Sequence, residues 1–112
     1  HLVSFLKNEL SLGKTIHCYG ASTKGNTLLQ FYNLDNKFIK YIADRNPDKW
    51  GRKTIGTDIP IISEKESHSL NPDYFLILPW HFIEEFKERE QEFLNRGGKL
   101  IVPLPKFQII EK

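Results

Sequence analysis

The stretch His17–Phe31, HCYGASTKGNTLLQF, decides how this chain is read. An apolar segment runs into Gly20, and small hydroxyl residues, Lys24, Gly25 and an apolar pattern of helical period follow. Strand, glycine turn and helix in that order make a βα unit, whose turn is a natural place for an anion. The Gly20–Gly25 spacing matches the opening of a P-loop, G-x-x-x-x-G-K-[ST], but Asn26 stands where the lysine belongs. The dinucleotide fingerprint G-x-G-x-x-G is also absent, because position 22 is Ser. Two readings stay open. Either helix-start N–H groups and Lys24 hold an anion, or Gly20 and Gly25 only permit a tight turn and close helix–strand packing.

Working outward, residues 2 to 12 place Leu2, Val3, Leu6 and Leu10 on one helical face, and Gly13 suits a left-handed stop. Thr15–Tyr19 reads as a strand, and Ser22 or Thr23 as the cap of a helix running to about Asn33. KFIKYIAD, residues 37 to 44, predicts a second strand ending at Asp44. The segment 45–60 holds two glycines and two prolines, with Trp50 and Ile55 among polar residues, and is expected to be an ordered loop. PIIS, from Pro60, adds a short strand, and Ser63 caps a brief helix through Ser69. DYFLILP, Asp73 to Pro79, is the continuous apolar run of a central strand covered on both faces. The next segment predicts one helix with Phe82, Ile83, Phe86, Phe93 and Leu94 on a shared face. Glu85–Arg89 and Glu92–Arg96 are spaced to pair along it, and Gly97 ends it. KLIVPLP is a further buried strand, and FQII an edge strand. Strands alternating with helices at these intervals predict an α/β fold, a doubly wound, mostly parallel sheet.

With 112 residues the chain has the size of a single domain, 1–112. Lys+Arg 16 against Asp+Glu 14 leaves +2, too balanced for nucleic acid as the main partner. No apolar run is long enough to span a bilayer and no signal peptide is visible. Cys18 is the only cysteine, so a disulfide framework is excluded within these residues; a small buried thiol in a reducing, cytoplasmic setting is expected. The first residue is His1 rather than Met, and the chain reads as a piece of a longer protein.

In a sheet of this kind ligands bind outside the carboxyl ends of the strands. Three loops gather there: Gly20–Asn26, Asp44–Asp58 and Pro79–His81. Asp44 lies 24 residues beyond Gly20, near the spacing at which an acid meets a ribose hydroxyl. Arg45, Lys49, Arg52 and Lys53 follow it, suited either to phosphate or to plain solvation. Trp80 can stack on a sugar or base, and His81 is either an acid–base group or a helix cap. His17 and His68 have no partners at metal spacing.

Taken together, YGASTKGNTLLQF, DRNPDKWGRKTIGTDIPI and PDYFLILPWHFIEEF…GGKLIVPLP resemble the C-terminal domain of the S-adenosylmethionine-dependent sugar C-methyltransferases, over roughly residues 2 to 106. Gly20, Lys24, Gly25, Asn26 and Thr27 match the family's G-A-x-x-K-G-N-T segment; Asp44, Asn46, Pro47, Lys49 and Gly51 match D-x-N-P-x-K-x-G. Gly56, Thr57, Ile59 and Pro60 fall on G-T-x-I-P, and Pro79 and Trp80 on L-P-W. Ile55, where proline is usual, and His81, where asparagine is common, depart from the pattern.

The resemblance implies a Rossmann-like three-layer sandwich, third of three domains, closing over a nucleotide-linked keto-deoxysugar bound against a preceding methyl-donor domain of the same chain. It implies substrate-binding roles for Gly20, Lys24, Gly25, Asn26, Asp44, Asn46, Lys49, Arg52 and Trp80, with Lys24 and Arg52 toward diphosphate and Asp44 toward a hydroxyl. S-adenosylmethionine and zinc are implied for the full-length protein; no cofactor and no catalytic or metal-binding residue is expected within 1–112. The alternative is a stand-alone nucleotide-binding or interaction module without catalysis. An NAD-dependent oxidoreductase half would need the fingerprint that the first loop lacks.

Overall fold

Alternation along two strands divides the core into two halves in the computed structural model of this protein, which describes residues 1–112. Ile16, Cys18, Tyr74, Leu76 and Leu78 turn to one face, and Tyr19, Phe75 and Ile77 to the other. The first half is closed by Leu2 and Leu6 of helix α1 (Leu2–Ser11) and Leu29 of α2 (Thr23–Phe31). The second is closed by Phe86 of α4 (Ile83–Arg89) and by Phe93 and Leu94 of α5 (Gln91–Asn95). Each fully buried side chain of this size contributes about 1.5–3 kcal/mol of hydrophobic stabilisation.

Six strands make one sheet in the order β3-β2-β1-β4-β5-β6. They are β1 (Ile16–Tyr19), β2 (Tyr41–Ala43), β3 (Ile61–Ile62), β4 (Tyr74–Ile77), β5 (Lys99–Val102) and β6 (Gln108–Ile110). All neighbours are parallel except β5 and β6. The order reverses between β1 and β4, so the connections leaving those two strands part there and open a crevice. The short helix α3 (Glu64–Ser69) is capped by Ser63, whose hydroxyl accepts the Glu66 N–H at 3.0 Å.

The expected α/β class and mostly parallel sheet are therefore present, and so is the expected edge strand, which the structure shows to run antiparallel to β5. The ordered 45–60 loop is present too: Asn46 caps a 3-10 turn at Pro47–Lys49, and Lys53 bridges Pro60. The Gly51 N–H donates to the Ile61 carbonyl at 3.0 Å and the Ile61 N–H to the Arg52 carbonyl at 2.9 Å. No helix is long and apolar enough to cross a membrane.

Four local expectations are corrected. The second strand is shorter than 37–44, because Phe38 and Ile39 belong to a turn in which both N–H groups return to the Asp35 carbonyl. The single helix after the fourth strand is broken into a 3-10 turn at Trp80–Phe82, α4 and α5, with the break at buried Glu90. Phe82 lies outside the helix and is exposed, so it does not share the core face. Arg89 pairs with Glu64 of α3 rather than Glu85, and Arg96 makes no ion pair with Glu92.

Candidate functional site

The crevice is framed by the start of α2. Gly20 has φ +92°, and a Cβ there would meet Pro79 Cδ at 3.0 Å, so the turns after β1 and β4 touch. Gly25 is packed closer still: a Cβ would fall 2.9 Å from the Gly20 carbonyl and 3.2 Å from Leu78 Cβ. Ser22 caps α2, accepting the Gly25 N–H at 3.0 Å. The N–H groups of Thr23 and Lys24 make no backbone hydrogen bond and remain available at the helix start.

Asp44 is a clasp. One carboxylate oxygen accepts the Ala21 N–H at 2.8 Å and the other the Asn46 N–H at 2.9 Å. Lys49 joins them, its ammonium donating to the Ala21 carbonyl at 2.9 Å and lying 3.9 Å from Asp44. The Trp50 indole N–H donates to the Asp44 carbonyl at 2.7 Å. Asn46 accepts the Asp48 N–H and caps the 3-10 turn.

Asn26 plays a comparable part on α2. Its amide donates to the Ile55 carbonyl at 2.9 Å and accepts from the Thr57 hydroxyl at 2.6 Å. Thr57 in turn meets Thr54, whose hydroxyl accepts the Ile59 N–H, so residues 54–59 are tied to the helix. Gly20, Gly25, Asn26, Asp44, Asn46 and Lys49 thus shape the crevice, each through at least one hydrogen bond within the chain.

Two clefts flank the α2 start and share Ser22. One, of about 240 Å³, is lined by Thr23, Asn26, Lys49, Arg52, Lys53 and Ile55 among others, and three of its side chains are cationic. The other, of about 390 Å³, lies between α2 and the turn after β4, lined by Lys24, Leu28, Pro79, Trp80, His81 and Phe82 among others. Trp80 and His81 stack with centroids 3.9 Å apart. The arrangement offers anion contacts on one side of the helix start and apolar, aromatic contacts on the other.

Among the expected site residues, Lys24, Arg52 and Trp80 make no side-chain hydrogen bond or ion pair within the chain, while Asn26 and Lys49 line a cleft and are also bonded internally. Lys53, Ile55 and Phe82 join them in lining, and Ile55 is 83 % exposed. A larger cleft of about 660 Å³ lies elsewhere, between α3 and α5, beside a cluster of half-buried His68 with buried Glu90 and Tyr19. No spacing in the sequence brings those three together.

Zinc does not fit these residues: no three His, Cys, Asp or Glu side chains cluster to hold a metal ion. Cys18 is fully buried and burial pushes its thiol up, away from the thiolate a metal needs. Each oxygen of the Asp44 carboxylate accepts one backbone N–H and keeps acceptor capacity for a further donor.

Residues 1–105 match the family described as C-methyltransferase C-terminal domain. The chain is also 40% identical over 98 residues to the C-methyltransferase NovU of Streptomyces niveus. That alignment covers 88% of this chain and 23% of the relative, so the chain spans less than a quarter of that protein's length.

Proposed function

This chain belongs to the family of C-methyltransferase C-terminal domains, and we propose that it is the substrate-side domain of a methyltransferase acting on a nucleotide-linked keto-deoxysugar. The observation that carries this reading is the pair of clefts sharing Ser22, one cationic and one aromatic, at the carboxyl edge of the sheet. A sugar nucleotide has both kinds of surface, a diphosphate and flat or apolar rings. Arg52, Lys53, Lys24 and the free N–H groups of Thr23 and Lys24 face the diphosphate, and Trp80 faces a ring. Gly20, Gly25, Asn26, Asp44, Asn46 and Lys49 hold these groups in place. Asp44 clasps the two loops and has acceptor capacity left for a sugar hydroxyl.

The strand order, with its reversal between β1 and β4, supports a Rossmann-like assignment in which the crevice is the ligand site. In this reading S-adenosylmethionine supplies the methyl group and, like zinc, is held by residues outside 1–112. The deprotonating base also lies outside, in a preceding methyl-donor domain of a cytoplasmic enzyme. This chain binds and orients the sugar nucleotide.

Titrating the chain with a nucleoside-diphosphate sugar, and separately with NAD, while following backbone amide resonances tests the assignment. Shifts at Thr23–Asn26, Arg52–Ile55 and Trp80 with the sugar nucleotide are expected. Shifts there with NAD alone overturn it in favour of a dinucleotide site.

A further inference from the structure

We propose that His68 and Glu90 form a protonated latch, imidazolium to carboxylate, that fastens α3 to the α4–α5 junction and opens as the imidazolium loses its proton. Donor accounting carries this. His68 Nδ1 lies 2.7 Å from the Glu64 carbonyl oxygen, which can only accept, so Nδ1 bears a hydrogen. His68 Nε2 lies 2.6 Å from Glu90 Oε1. The Tyr19 hydroxyl has one proton, and it goes to Glu90 Oε2 at 3.0 Å. The short contact between Nε2 and Oε1 needs a hydrogen between them, and it rests on Nε2 because imidazole is a stronger base than a carboxylate; the Tyr19 oxygen, 3.2 Å from Nε2, can accept from the same N–H. Two ring hydrogens make an imidazolium. A neutral ring with its hydrogen on Nδ1 would set a nitrogen lone pair against a carboxylate that is only 4 % exposed.

The surroundings favour the charged ring. From α3 itself the Glu64 carboxylate adds attraction, while its charge is shared by Arg89 of α4 at 2.7 and 2.8 Å and by Arg45 at 3.4 Å. From β1, Tyr19 keeps its phenol proton because burial, and then the neighbouring Glu90, push its ionisation up. His17, also on β1, is held neutral near pH 7 by burial and so does not repel the ring. Phe75 of β4 and Phe93 of α5 bring aromatic rings without charge. Lys65, Glu92 and Arg96 stand along the adjoining cleft. The bond to Glu90 is the main cause raising His68 above its ordinary 6.5, against burial that works the other way.

Both ring nitrogens are engaged, which leaves His68 no lone pair for a metal or for general-base work. What remains is mechanical. α3 follows the strand that anchors the cationic loop, and α4 follows the turn bearing Trp80, so the latch joins the two sides of the crevice from the opposite face of the sheet. A histidine raised on folding stabilises fully below its unfolded value of about 6.5, and that contribution is lost as pH rises through the folded-state value.

The test reads the ring directly. Nitrogen-15 shifts of His68 in the unmodified chain are expected to show both nitrogens protonated at about pH 7, with a midpoint above 6.5 that falls in Glu90→Gln. His68→Gln keeps an N–H toward Glu90 but cannot titrate. From about pH 6.5 to 9 the urea midpoint of the unmodified chain is expected to fall more steeply than that of His68→Gln. A neutral His68 ring at pH 7, or identical slopes in the two proteins, overturns the latch. If neither variant folds, the ring shifts of the unmodified chain still decide.

Discussion

The Asp44 carboxylate accepts the Ala21 N–H at 2.8 Å, so the end of β2 is fastened to the turn that follows β1. The same side chain accepts the Asn46 N–H, and Asp44→Ala leaves both donors without a partner. A loss of about 1–3 kcal/mol is expected, mainly from the partly buried Ala21 N–H, since water can reach the exposed N–H of Asn46. Asp44→Asn, with one carbonyl oxygen remaining, should cost less. Urea denaturation of both variants checks the order; equal stability to the parent would show that the clasp carries no load.

Gly25→Ala should destabilise even though alanine is the better helix former by about 1 kcal/mol. The new methyl would lie 2.9 Å from the Gly20 carbonyl, against backbone that cannot step aside. A net loss of about 1–3 kcal/mol is expected from that overpacking, visible as a lowered Tm. A raised Tm would mean that α2 can lift from β1 and β4 without cost.

Arg52 and Lys53 are exposed and make no ion pair, so Arg52→Ala and Lys53→Ala should change stability by less than about 0.5 kcal/mol. Binding of a nucleoside-diphosphate sugar is another matter. Each lost charge-assisted contact should weaken it about tenfold or more, with a smaller salt dependence than the parent. Lys7→Ala, on α1, is the control that should bind normally. If all three variants bind alike, the cationic cleft is not where the diphosphate sits.

His17 gives the fold an acid sensitivity opposite in sign to that of His68. Burial, with Lys40 and His68 as lesser causes, lowers it from 6.5 to about 4. The unfolded chain therefore takes up a proton between those values that the folded chain refuses. Stability from this group is complete above about pH 6.5 and is lost as pH falls toward 4, by about 3 kcal/mol at most. The dependence of the urea midpoint on pH in this window should be shallower in His17→Gln. An unchanged slope would place the acid sensitivity in other groups.

The order of elements was legible because its signals are local: apolar periods, the Ser22 and Ser63 caps and the apolar run before Pro79. Where local signals misled, a distant partner had outbid a near one. Glu85 is spaced to pair with Arg89, yet Arg89 reaches 25 residues back to Glu64. The periodicity past residue 82 suits one helix, but Glu90 is drawn inward by Tyr19 and His68, and the helix breaks there. The candidate site divides in the same way. Its location followed from the strand ends, and the family from residues quoted in register. The scaffolding parts of Asp44 and Asn26 depend on bonds to Ala21, Ile55 and Thr57, 23 to 31 residues away, and no spacing announces those.

The two rims of the sheet are not alike. At β3 the outward N–H and carbonyl of Ile61 are already taken by Arg52 and Gly51, so the loop that carries the cationic side chains also seals that rim. A foreign strand arriving there meets no free ladder. At β6, the outermost strand on the other side, none of the loops of residues 1–112 bonds to the outward backbone groups. Within residues 1–112 the sheet therefore offers a free backbone ladder on one side only, and strand pairing between copies of this chain is expected at Gln108–Ile110 rather than at Ile61–Ile62.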